Sequence, residues 1–563
     1  MPHIGIDLGT TNSLISVFEN GEPHLIKNSV GTYLTPSIVS LEKDTLLTGD
    51  LAKARMVTHP LETAAVFKRT MGADKAYKLG KKQFTAVELS AAVLRSLKED
   101  AQNELKAEIS DVVISVPAYF NELQRKAVRS AAKMAGLNPE RLINEPTAAA
   151  LAYGFQSLEE ESSFLVFDLG GGTFDVSIME VFEGVMEVKA TSGDAYLGGE
   201  DFTAALISDL TTKLSPKQQK KPNLEALTKL AEQVKHGLSE KDSVHINLDT
   251  PNLTLDHHIS RKDFEELATK LTTRLRRPID RAMYDSGLSA DELEKVILVG
   301  GATRMPLIRS LVAKHLRQFP ESHIDPDHAV ALGAAVQAGL IGKNEALKDV
   351  VMTDVSAFTL GIETSREFGN NHRAGYYLPL IERNSVVPVS REETIYPVHP
   401  QQTKLEIRVF QGEAPDVASN IFLGKLEVEL PRQVDQDLNP ATVRFTYDVS
   451  GLLEVDVTTH ADDKSHSLLI KNLAGEMSDK EISDRLTQLE KLKVHPREDA
   501  HNVLLRARIE QCYAMARLGD REQIGEMLHA FDTILTTQNI SEISKLSEQI
   551  SEHLNMFEAS YVQ

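Results

Sequence analysis

Several residue types are scarce in this sequence, and each scarcity excludes a class of protein. The 563 residues contain no tryptophan, a single cysteine (Cys512) and only 6% aromatic side chains. One thiol cannot form an internal disulfide, and zinc sites need several ligands at set spacings. A disulfide-stabilised scaffold and a cysteine-based zinc module are therefore excluded, and we expect a protein that folds in a reducing cytoplasm.

Long apolar runs and positive charge are also scarce. No uninterrupted apolar stretch approaches the ~18 residues that a membrane-spanning helix needs. The segment from Met1 to Asp7 lacks the basic and apolar regions of a secretory signal. Acidic residues outnumber basic ones by 82 to 61, which gives a formal charge of −21. Because carboxylates repel phosphate and no basic block offsets them, we expect neither nucleic acid nor membrane among the partners.

The apolar residues that are present, 41% of the chain, are enough for several globular domains. As far as residue 348, β-rich segments such as 112–116 and 164–167 alternate with helical ones such as 122–135, which predicts an α/β domain. From 355 to 475 apolar and polar residues alternate with a period of two, which predicts an antiparallel β domain.

The last part of the chain, residues 476–563, shows apolar residues at helical spacing. A capping box at Ser478 and Glu481 predicts one helix, and a second is expected to follow Pro496 and end at Gly519. A third carries the stripe from Ile543 to Leu554. Such a stripe is typical of the core of a helical bundle.

A short apolar run bounded by acids, from Asp349 to Asp354, separates the first two blocks. It is either an ordinary interdomain strand or a linker that alternates between exposed and docked states. Apolar residues in a linker favour the second interpretation, because they prefer a partner surface to water.

An internal near-repeat is the most informative motif. Residues 4–17 recur as residues 165–178, and in each copy an apolar strand enters a Gly/Thr turn and leaves as a second strand. Two facing turns of this kind can hold phosphate between their backbone N–H groups. Asp7 and Asp168 cannot face a polyphosphate without a cation, so Mg²⁺ with its retained waters is implied. The glycine pairs at 198–199 and 300–301 fit close backbone approach to the same ligand.

These motifs resemble the seventy-kilodalton heat-shock chaperones of the DnaK type over nearly the whole chain. The matching segments are residues 5–13, 116–121, 144–154, 167–175 and 360–364. Shortened stretches between Lys68 and Thr85 and between Glu200 and Glu232 resemble the specialised bacterial HscC-like branch. The resemblance implies an actin-like α/β ATPase domain with duplicated halves (1–348), a linker (349–354), an antiparallel β-sandwich that binds peptide (355–475) and a C-terminal α-helical lid (476–563).

The resemblance also implies roles for individual residues. The implied catalytic residues are Lys68, Glu145, Asp168, Thr173 and Asp175, and Asp7 and Asp168 are implied to hold Mg²⁺ through water. The residues implied to hold the phosphates are Gly9, Thr10, Thr11, Asn12, Gly170, Gly171 and Gly172, with Gly198, Gly199 and Gly300 nearby. Those implied for adenine and ribose are Glu232, Lys235, Ser239, Gly301, Arg304 and Asp327.

Two further sets concern peptide binding and coupling. The peptide cleft is implied to be lined by Ile362, Ser365, Ile395, Val398, Leu405 and Ile407, although plain sandwich core is an alternative for these aliphatic positions. Coupling is implied for Pro117, Arg125, Val350, Val351 and Met352. Residues 366–377 resemble an insertion beside the cleft, so we expect a narrow choice of clients.

The function implied is that of an ATP-dependent molecular chaperone with slow ATPase activity, active in protein folding and the stress response. ATP or ADP, Mg²⁺ and, as a further ion, K⁺ are the expected ligands. Extended client polypeptides, a J-domain co-chaperone and a nucleotide exchange factor are the expected partners. Two alternatives stay open: a small-molecule kinase or filament ATPase with the same actin-like core, and a non-hydrolysing relative that acts as an exchange factor.

Overall fold

The computed structural model describes residues 2–56, 58–154, 162–182, 185–220, 222–250, 253–321, 324–344, 347, 351–368, 371–399, 401–430, 440–448, 451–462, 464–470, 495–497, 499–516 and 518–561. Among these residues, every helix is too short or too polar to span a membrane.

The first half of the α/β region is built from short strands and a few longer helices. Its strands are β1 (His3–Asp7), β2 (Asn12–Glu19), β3 (Glu22–Leu25), β4 (Thr35–Pro36), β5 (Ile38–Glu42), β6 (Thr45–Thr48), β7 (Thr63–Ala65), β8 (Ala76–Leu79), β9 (Lys82–Thr85), β10 (Asp111–Val116) and β11 (Asn138–Asn144). Its helices are α1 (Gly49–Arg55), α2 (Ala86–Leu105), α3 (Glu122–Met134) and α4 (Glu145–Gly154).

The second half contains fewer strands and more helices. Its strands are β12 (Ser162–Leu169), β13 (Phe174–Phe182), β14 (Val185–Asp194), β15 (Ser243–Thr250), β16 (Leu253–Ser260) and β17 (Lys295–Val299). Its helices are α5 (Gly199–Lys213), α6 (Pro216–Gln219), α7 (Leu224–Glu240), α8 (Arg261–Leu267), α9 (Thr269–Ser286), α10 (Pro306–Leu316) and α11 (Ala329–Ile341).

The two halves share one sheet topology. In the first, β1 pairs antiparallel with β2 and parallel with β10, and in the second, β12 pairs antiparallel with β13 and parallel with β17. The strand orders are β11-β10-β1-β2-β3 and β17-β12-β13-β14. The duplication predicted from the near-repeat is therefore confirmed, and each copy of the motif is a strand–turn–strand hairpin.

The halves meet along two small-residue helices, α4 and α11. A Cβ atom added to Gly333 would lie 1.6 Å from the Ala148 carbonyl oxygen, and one added to Gly5 would lie 2.2 Å from the Ala335 nitrogen. The backbones thus pack in direct contact, and a continuous apolar core that includes Phe18 and Phe164 surrounds them. This packing fixes the base of the cleft between the halves.

Local capping explains where the longer helices begin. Thr85 and Asn121 each accept a hydrogen bond from the backbone N–H three residues on, which completes capping boxes for α2 and α3. The helical pattern of residues 263–284 is divided between two helices, because α8 ends at Leu267 and α9 begins at Thr269. The Thr269 hydroxyl donates to the Glu266 carbonyl at 2.8 Å, so a side chain competes with the backbone ladder there.

The segment between the α/β region and the β region forms a strand, β18 (Val351–Val355). It pairs in parallel with β14 over residues 351–353 and antiparallel with β21 (Val386–Val387) over 354–355. The second large sheet therefore continues from the α/β region into the β region. Val350 lies outside the described residues, and for Val351 and Met352 the structure describes the backbone alone.

The β region is a two-sheet sandwich. Its other strands are β19 (Leu360–Phe368), β20 (Asn371–Ile381), β22 (Val389–Ile395), β23 (Lys404–Gln411), β24 (Ile421–Glu429), β25 (Ala441–Tyr447), β26 (Leu453–Thr459) and β27 (Lys464–Ile470). The sheet orders are β20-β19-β23-β24 and β22-β25-β26-β27, with antiparallel pairing throughout the described ladders. The predicted alternation is confirmed, since Leu405 and Val443 lie in the core while Lys404 is exposed.

The described C-terminal helices are α12 (Ala500–Met515), α13 (Leu518–Thr537) and α14 (Ile540–Tyr561). They pack around Ile509, Phe531 and Leu554, as the apolar stripe predicts. The expected helix end at Gly519 is wrong: extended backbone at Ala516 ends α12, and Gly519 lies inside α13. The helix predicted after Ser478 lies outside the described residues.

Candidate functional site

The two glycine-rich turns lie face to face between the halves. The first turn is residues 8–11 and the second turn is residues 170–173. A Cβ atom added to Gly171 would lie 1.9 Å from Thr11 Oγ1, and one added to Gly172 would lie 2.6 Å from Thr10 Oγ1. Only glycine fits at these positions of the second turn. The threonine hydroxyls of the first turn border the same space.

The backbone of the second turn is held from its outer side. Its three glycine carbonyls accept hydrogen bonds from the N–H groups of Gly199 and Glu200 and from Nε of Arg69, at 2.8 to 3.0 Å. The backbone N–H groups of residues 171–173 donate to no acceptor in the described part of the chain. The turn is therefore a set of free, preorganised donors, which is the usual form of a backbone anion site.

Ser37 braces the first turn from outside the motif. Its Oγ donates to the Gly9 carbonyl at 2.8 Å, and its N–H donates to the Thr11 carbonyl at 2.8 Å. A Cβ atom at Gly9 would lie 1.9 Å from the Asn12 carbonyl oxygen, so the turn also needs glycine there. Sequence reasoning missed Ser37, because nothing local marks a serine that contacts a turn elsewhere in the fold.

Carboxylates cluster at the floor of the cleft. Removal from water and the nearby charge of Glu145 raise the pKa of Asp7 to about 7 and that of Asp175 to about 8. Burial, Glu145, Asp175 and Asp7 together raise the pKa of Asp168 well above its usual range. The Asp168 Oδ2 atom is buried and has no hydrogen-bond partner. A bound cation would relieve the repulsion among these carboxylates.

Lys68 supplies positive charge beside these acids. It lies in a 3₁₀ turn (Phe67–Thr70) that begins with the left-handed residue Val66, and its side chain is almost fully buried. Its Nζ atom donates to Glu145 Oε1 at 2.7 Å and lies 5.5 Å from the centre of the Phe120 ring. Glu145 is the first residue of α4, where the helix dipole favours a carboxylate.

Arg69 joins the two halves and was missed from the sequence. Besides its bond to the second turn, its guanidinium donates to Asp201 Oδ2 at 2.5 Å, and the same carboxylate accepts the Gly198 N–H at 2.8 Å. The sequence did offer one signal for Arg69, its position directly after the predicted catalytic residue Lys68. The interaction spans the cleft, so Arg69 positions the second turn from the opposite half.

The residues predicted for adenine and ribose come from α7, the turn after β17 and the loop before α11. Lys235 Nζ lies 2.6 Å from Glu232 Oε1 and 3.2 Å from the Gly199 carbonyl. Although burial opposes ionisation, hydrogen bonds from His236 and Lys235 hold the pKa of Glu232 at about 2. Ser239 lies one helical turn after Lys235 on α7. It borders a small cavity together with Lys235 and Met305.

Arg304 lies in the 3₁₀ turn after β17 and pairs with Asp327 at 2.8 Å and with Asp325 at 2.5 Å. A Cβ atom at Gly301 would lie 2.7 Å from Asp327 Oδ1, and one at Gly300 would lie 2.4 Å from the Leu169 carbonyl oxygen. The second glycine pair therefore packs against the second hairpin. The structure thus brings this predicted set to one side of the facing turns.

These features fit a bound polyphosphate with a divalent cation. The free N–H groups suit phosphate oxygens, and the unpartnered Asp168 oxygen suits a positively charged group. No three His, Cys, Asp or Glu side chains of the described residues converge as direct metal ligands. For a cation that keeps its water, the Asp7 and Asp168 carboxylates would be acceptors for that water.

Comparison with known families identifies the chain. A family model described as Hsp70 protein matches residues 3–561. The chain belongs to the Hsp70 family. Hsp70 proteins are chaperones with ATPase activity, which bind ATP or ADP with Mg²⁺ as well as client polypeptides and co-chaperones. The match identifies the family and not the branch, so the HscC-like assignment stays a prediction.

In this Hsp70 a chain of polar contacts joins the cleft to β18. Arg125 donates to the Ala118 and Phe120 carbonyls, in the segment that follows Pro117, and to Asn144 Oδ1 at 2.7 Å. Asn144 in turn donates to the Asp354 carboxylate at 3.2 Å. Since Asn144 directly precedes Glu145, these bonds connect the Lys68 partner to the linker strand.

The sandwich also contacts the α/β region of this Hsp70 directly, at sites that sequence reasoning missed. Arg383 forms a two-bond ion pair with Asp285, each bond being 2.9 Å long, and Asn384 donates to the same carboxylate at 2.9 Å. The rings of Tyr119 and Phe358 lie 4.8 Å apart. The Tyr119 N–H donates to Asp175 in the cleft at 3.1 Å, so a second set of contacts runs from the cleft to the sandwich.

The predicted peptide-cleft residues divide into two groups in the structure. Ile362, Leu405 and Ile407 lie in the buried sandwich core. Ile395 and Val398 are half-buried, and Ser365 is exposed. This division follows from the shared chemistry of core and cleft, which sequence alone does not separate.

Proposed function

We propose that this Hsp70 hydrolyses ATP slowly to ADP and phosphate and uses the cycle to switch its affinity for extended apolar segments of client polypeptides. The domains would be 1–348 for the ATPase, 349–354 for the linker, 355–475 for the peptide-binding sandwich and 476–563 for the lid. The observation that supports the proposal is the continuous sheet, in which β18 joins the hairpin of the second turn to the sandwich.

The chemistry needs positioning and charge neutralisation rather than a covalent nucleophile. The N–H groups of the two turns would hold the phosphates, with the Thr10, Thr11 and Thr173 hydroxyls as further donors. Lys68 would balance developing charge on the terminal phosphate. Glu145, which holds Lys68 in place, would orient the attacking water with Asp175. Mg²⁺, when bound, neutralises charge on the phosphates.

Coupling would use the contacts between the cleft and the linker. A change at the terminal phosphate that moves Glu145 also moves Asn144, and Asn144 binds both Arg125 and Asp354. We infer that ATP favours the docked β18 seen here and fast peptide exchange, whereas ADP favours its release and a closed lid. Linkage then requires peptide and a J-domain co-chaperone to bias the same equilibrium, typically by ~1–3 kcal/mol.

Peptide binding would use strand recognition. β19 pairs with β23 only over Leu360–Ile362, so the two strands separate after Ile362, toward the Phe368 end of β19. An extended segment bound there would gain backbone hydrogen bonds and pockets for alternate apolar side chains. The half-buried residues Ile395 and Val398 lie at the end of the opposite sheet, where they would border the same groove.

Single-turnover hydrolysis tests this proposal. With ATP and water as the only substrates, we expect slow phosphate release that an unstructured apolar peptide accelerates severalfold. A small-molecule kinase on this fold would release little phosphate without a hydroxyl acceptor and would ignore the peptide. An exchange-factor relative would bind nucleotide without hydrolysing it.

A trapping experiment tests the client side. We expect Thr173→Ala to bind ATP and hydrolyse it poorly, and therefore to hold the protein in its ATP state. Clients captured by the normal chain in ADP and lost in ATP should be lost from the variant in ATP as well, and hydrolysis should no longer restore them. Equal capture of clients by both proteins under all nucleotide conditions would contradict the proposal.

A further inference from the structure

The hairpin of β19 and β20 extends well beyond its contact with the rest of the sandwich. β19 pairs with β23 only as far as Ile362, yet its pairing with β20 continues to Phe368. β20 keeps its contact with the rest of the sandwich as far as Tyr376, which bridges to Asp416. Residues 365–368 and 371–375 therefore form a two-stranded projection, which we call the arm. Its turn residues, 369–370, lie outside the described residues.

One face of the arm continues the interior face of the sandwich. Ile362 is in the core, and alternation places Thr364 and Arg366 on the same side of β19. Their partners on β20 are Tyr376 and Arg373. The ladder shifts between these two pairs, where Gly375 adopts φ +101°, and this bulge keeps both partners on the one face.

Arg366 and Arg373 are thus directly opposite each other across two strands. Like charges in that arrangement destabilise a hairpin. Both side chains are exposed, and no described carboxylate pairs with either of them. The centre of the Tyr376 ring lies 4.7 Å from the guanidinium carbon of Arg366.

Two other arginines of the sandwich, Arg408 and Arg383, do pair with carboxylates. Arg408 on β23 binds Glu363 at 2.6 Å, and Arg383, just after β20, binds Glu413, just after β23, at 2.9 Å. The sandwich therefore supplies acids to its arginines where it needs them. On the arm, the backbone register holds two guanidinium groups together, and no carboxylate of the described residues pairs with either of them.

The arm also reaches the far side of the groove. The ring of His372 meets the ring of His399 edge-on at 5.6 Å, and His399 follows Val398 in the segment after β22. A peptide that lies along the groove would pass the arginine pair at one end of its apolar segment.

We propose that Arg366 and Arg373 together bind a carboxylate side chain of the client, placed next to the apolar segment that occupies the groove. This inference rests on the proposed peptide-binding function. Planar guanidinium groups bind a carboxylate through paired hydrogen bonds, and Tyr376 holds one of them in place. One carboxylate can bind between two guanidinium groups, whereas the chain's formal charge of −21 disfavours a polyanion.

Peptide titrations with the full chain in ADP test the assignment. Three labelled peptides share one apolar core and carry flanking Glu, Gln or Lys, and fluorescence anisotropy gives their affinities. We expect the Glu peptide to bind roughly tenfold more tightly than the Gln peptide, the size typical of one charge-assisted hydrogen bond, and the Lys peptide to bind most weakly. Added salt should reduce the difference between them.

Variants then locate the preference. Replacing both arginines (Arg366→Gln with Arg373→Gln) should abolish it and leave the affinity for the Gln peptide unchanged, which also shows that the groove is intact. Lys404→Gln removes one positive charge from the outer face of β23 and should leave the preference in place.

The outcomes separate the two proposals. If no peptide binds, the peptide-binding function and this inference both fail. If the Gln and Glu peptides bind equally well, or if the double variant keeps the preference, the arginine pair is not the receptor and the function stands. If Lys404→Gln also abolishes the preference, a general field accounts for it and the inference is overturned.

Discussion

The cleft between the halves of the α/β region holds its charged groups out of water, whereas the groove of the sandwich leaves its charged groups exposed. In the cleft, Lys68 is 2% exposed and Glu145 is 7% exposed. On the arm, Arg366 and Arg373 stand in solvent. Buried charges persist only with fixed partners, so changes in the cleft should be costly. Exposed charges are screened, so changes at the groove should alter selectivity while the fold survives.

The sharpest test of that contrast is Lys68→Ala. It leaves the Glu145 carboxylate buried without its cation and removes the positive charge near the phosphates. We expect single-turnover hydrolysis to fall roughly 10²–10³-fold, the usual cost of losing a preorganised electrostatic group. The matched control is Lys82→Ala, which breaks the exposed pair with Asp44 and should leave hydrolysis unchanged. Equal hydrolysis by the two variants would contradict the contrast between buried and exposed charges.

Gly172→Ala tests whether the turns act through their closeness. The added Cβ would lie 2.6 Å from Thr10, so the turns must move apart or distort. We expect calorimetry to show ATP affinity reduced about ten- to a hundredfold, which corresponds to about 1–3 kcal/mol of overpacking. Gly424→Ala on β24, where the nearest atom is 3.6 Å away, is the control and should bind ATP normally. Unchanged affinity in Gly172→Ala would show that the turns do not hold the phosphates.

Arg383→Ala tests the contact between the two regions. Removing the ion pair with Asp285 should weaken docking of the sandwich, so ATP should accelerate peptide release several times less than in the parent chain. ATP affinity and peptide affinity in ADP should not change, because Arg383 lies in neither site. Reversing both charges (Arg383→Asp with Asp285→Arg) should recover part of the coupling. A variant that releases peptide normally would show that this pair is not part of the docked state.

A smaller effect is expected from pH. Glu122 lies between the α/β region and the sandwich, where its N–H donates to Gln411. Burial raises the pKa of its carboxyl from 4.5 to about 7, although Arg125 and Arg129 oppose the shift. The docked state therefore binds a proton that the undocked state releases. Docking should be strongest below about pH 4.5, weaken as pH rises to about 7, and change little above that.

Glu122→Gln isolates this group among the others at the interface. Tyr447, Asp448 and Asp354 also border the cavity that Glu122 faces. Because the chain lacks tryptophan, Phe358→Trp gives a single reporter beside Tyr119. We expect the reporter's ATP response to vary with pH severalfold less when Glu122 is replaced. An identical pH profile in both backgrounds would assign the dependence elsewhere.

Features that depend on neighbouring residues could be predicted from the sequence. The two hairpins follow from glycines that their own turns require, and α2 and α3 begin at capping boxes within four residues. The strand alternation around Leu405 follows from burial of one sheet face.

Features that depend on distant contacts could not be predicted. Arg69 reaches the opposite half, Ser37 braces a turn outside its motif, and Arg383 meets Asp285 across two domains. The end of α12 at Ala516 was missed because Gly519 looked like a helix terminator yet continues the next helix. Ile362 and Leu405 have the apolar side chains that both a core and a cleft require, so their burial appears only in the fold.

The most direct test of the account is the rate at which a bound, labelled apolar peptide leaves the full chain after mixing with ATP or with ADP. If the linker strand carries the nucleotide state to the sandwich, release in ATP should be at least tenfold faster than release in ADP. The difference should shrink in Lys68→Ala, which loses the link between the phosphates and Glu145. It should also shrink in Arg383→Ala, which loses the ion pair between the sandwich and Asp285. Identical release rates in the two nucleotides, from a chain that demonstrably binds both, would contradict the account.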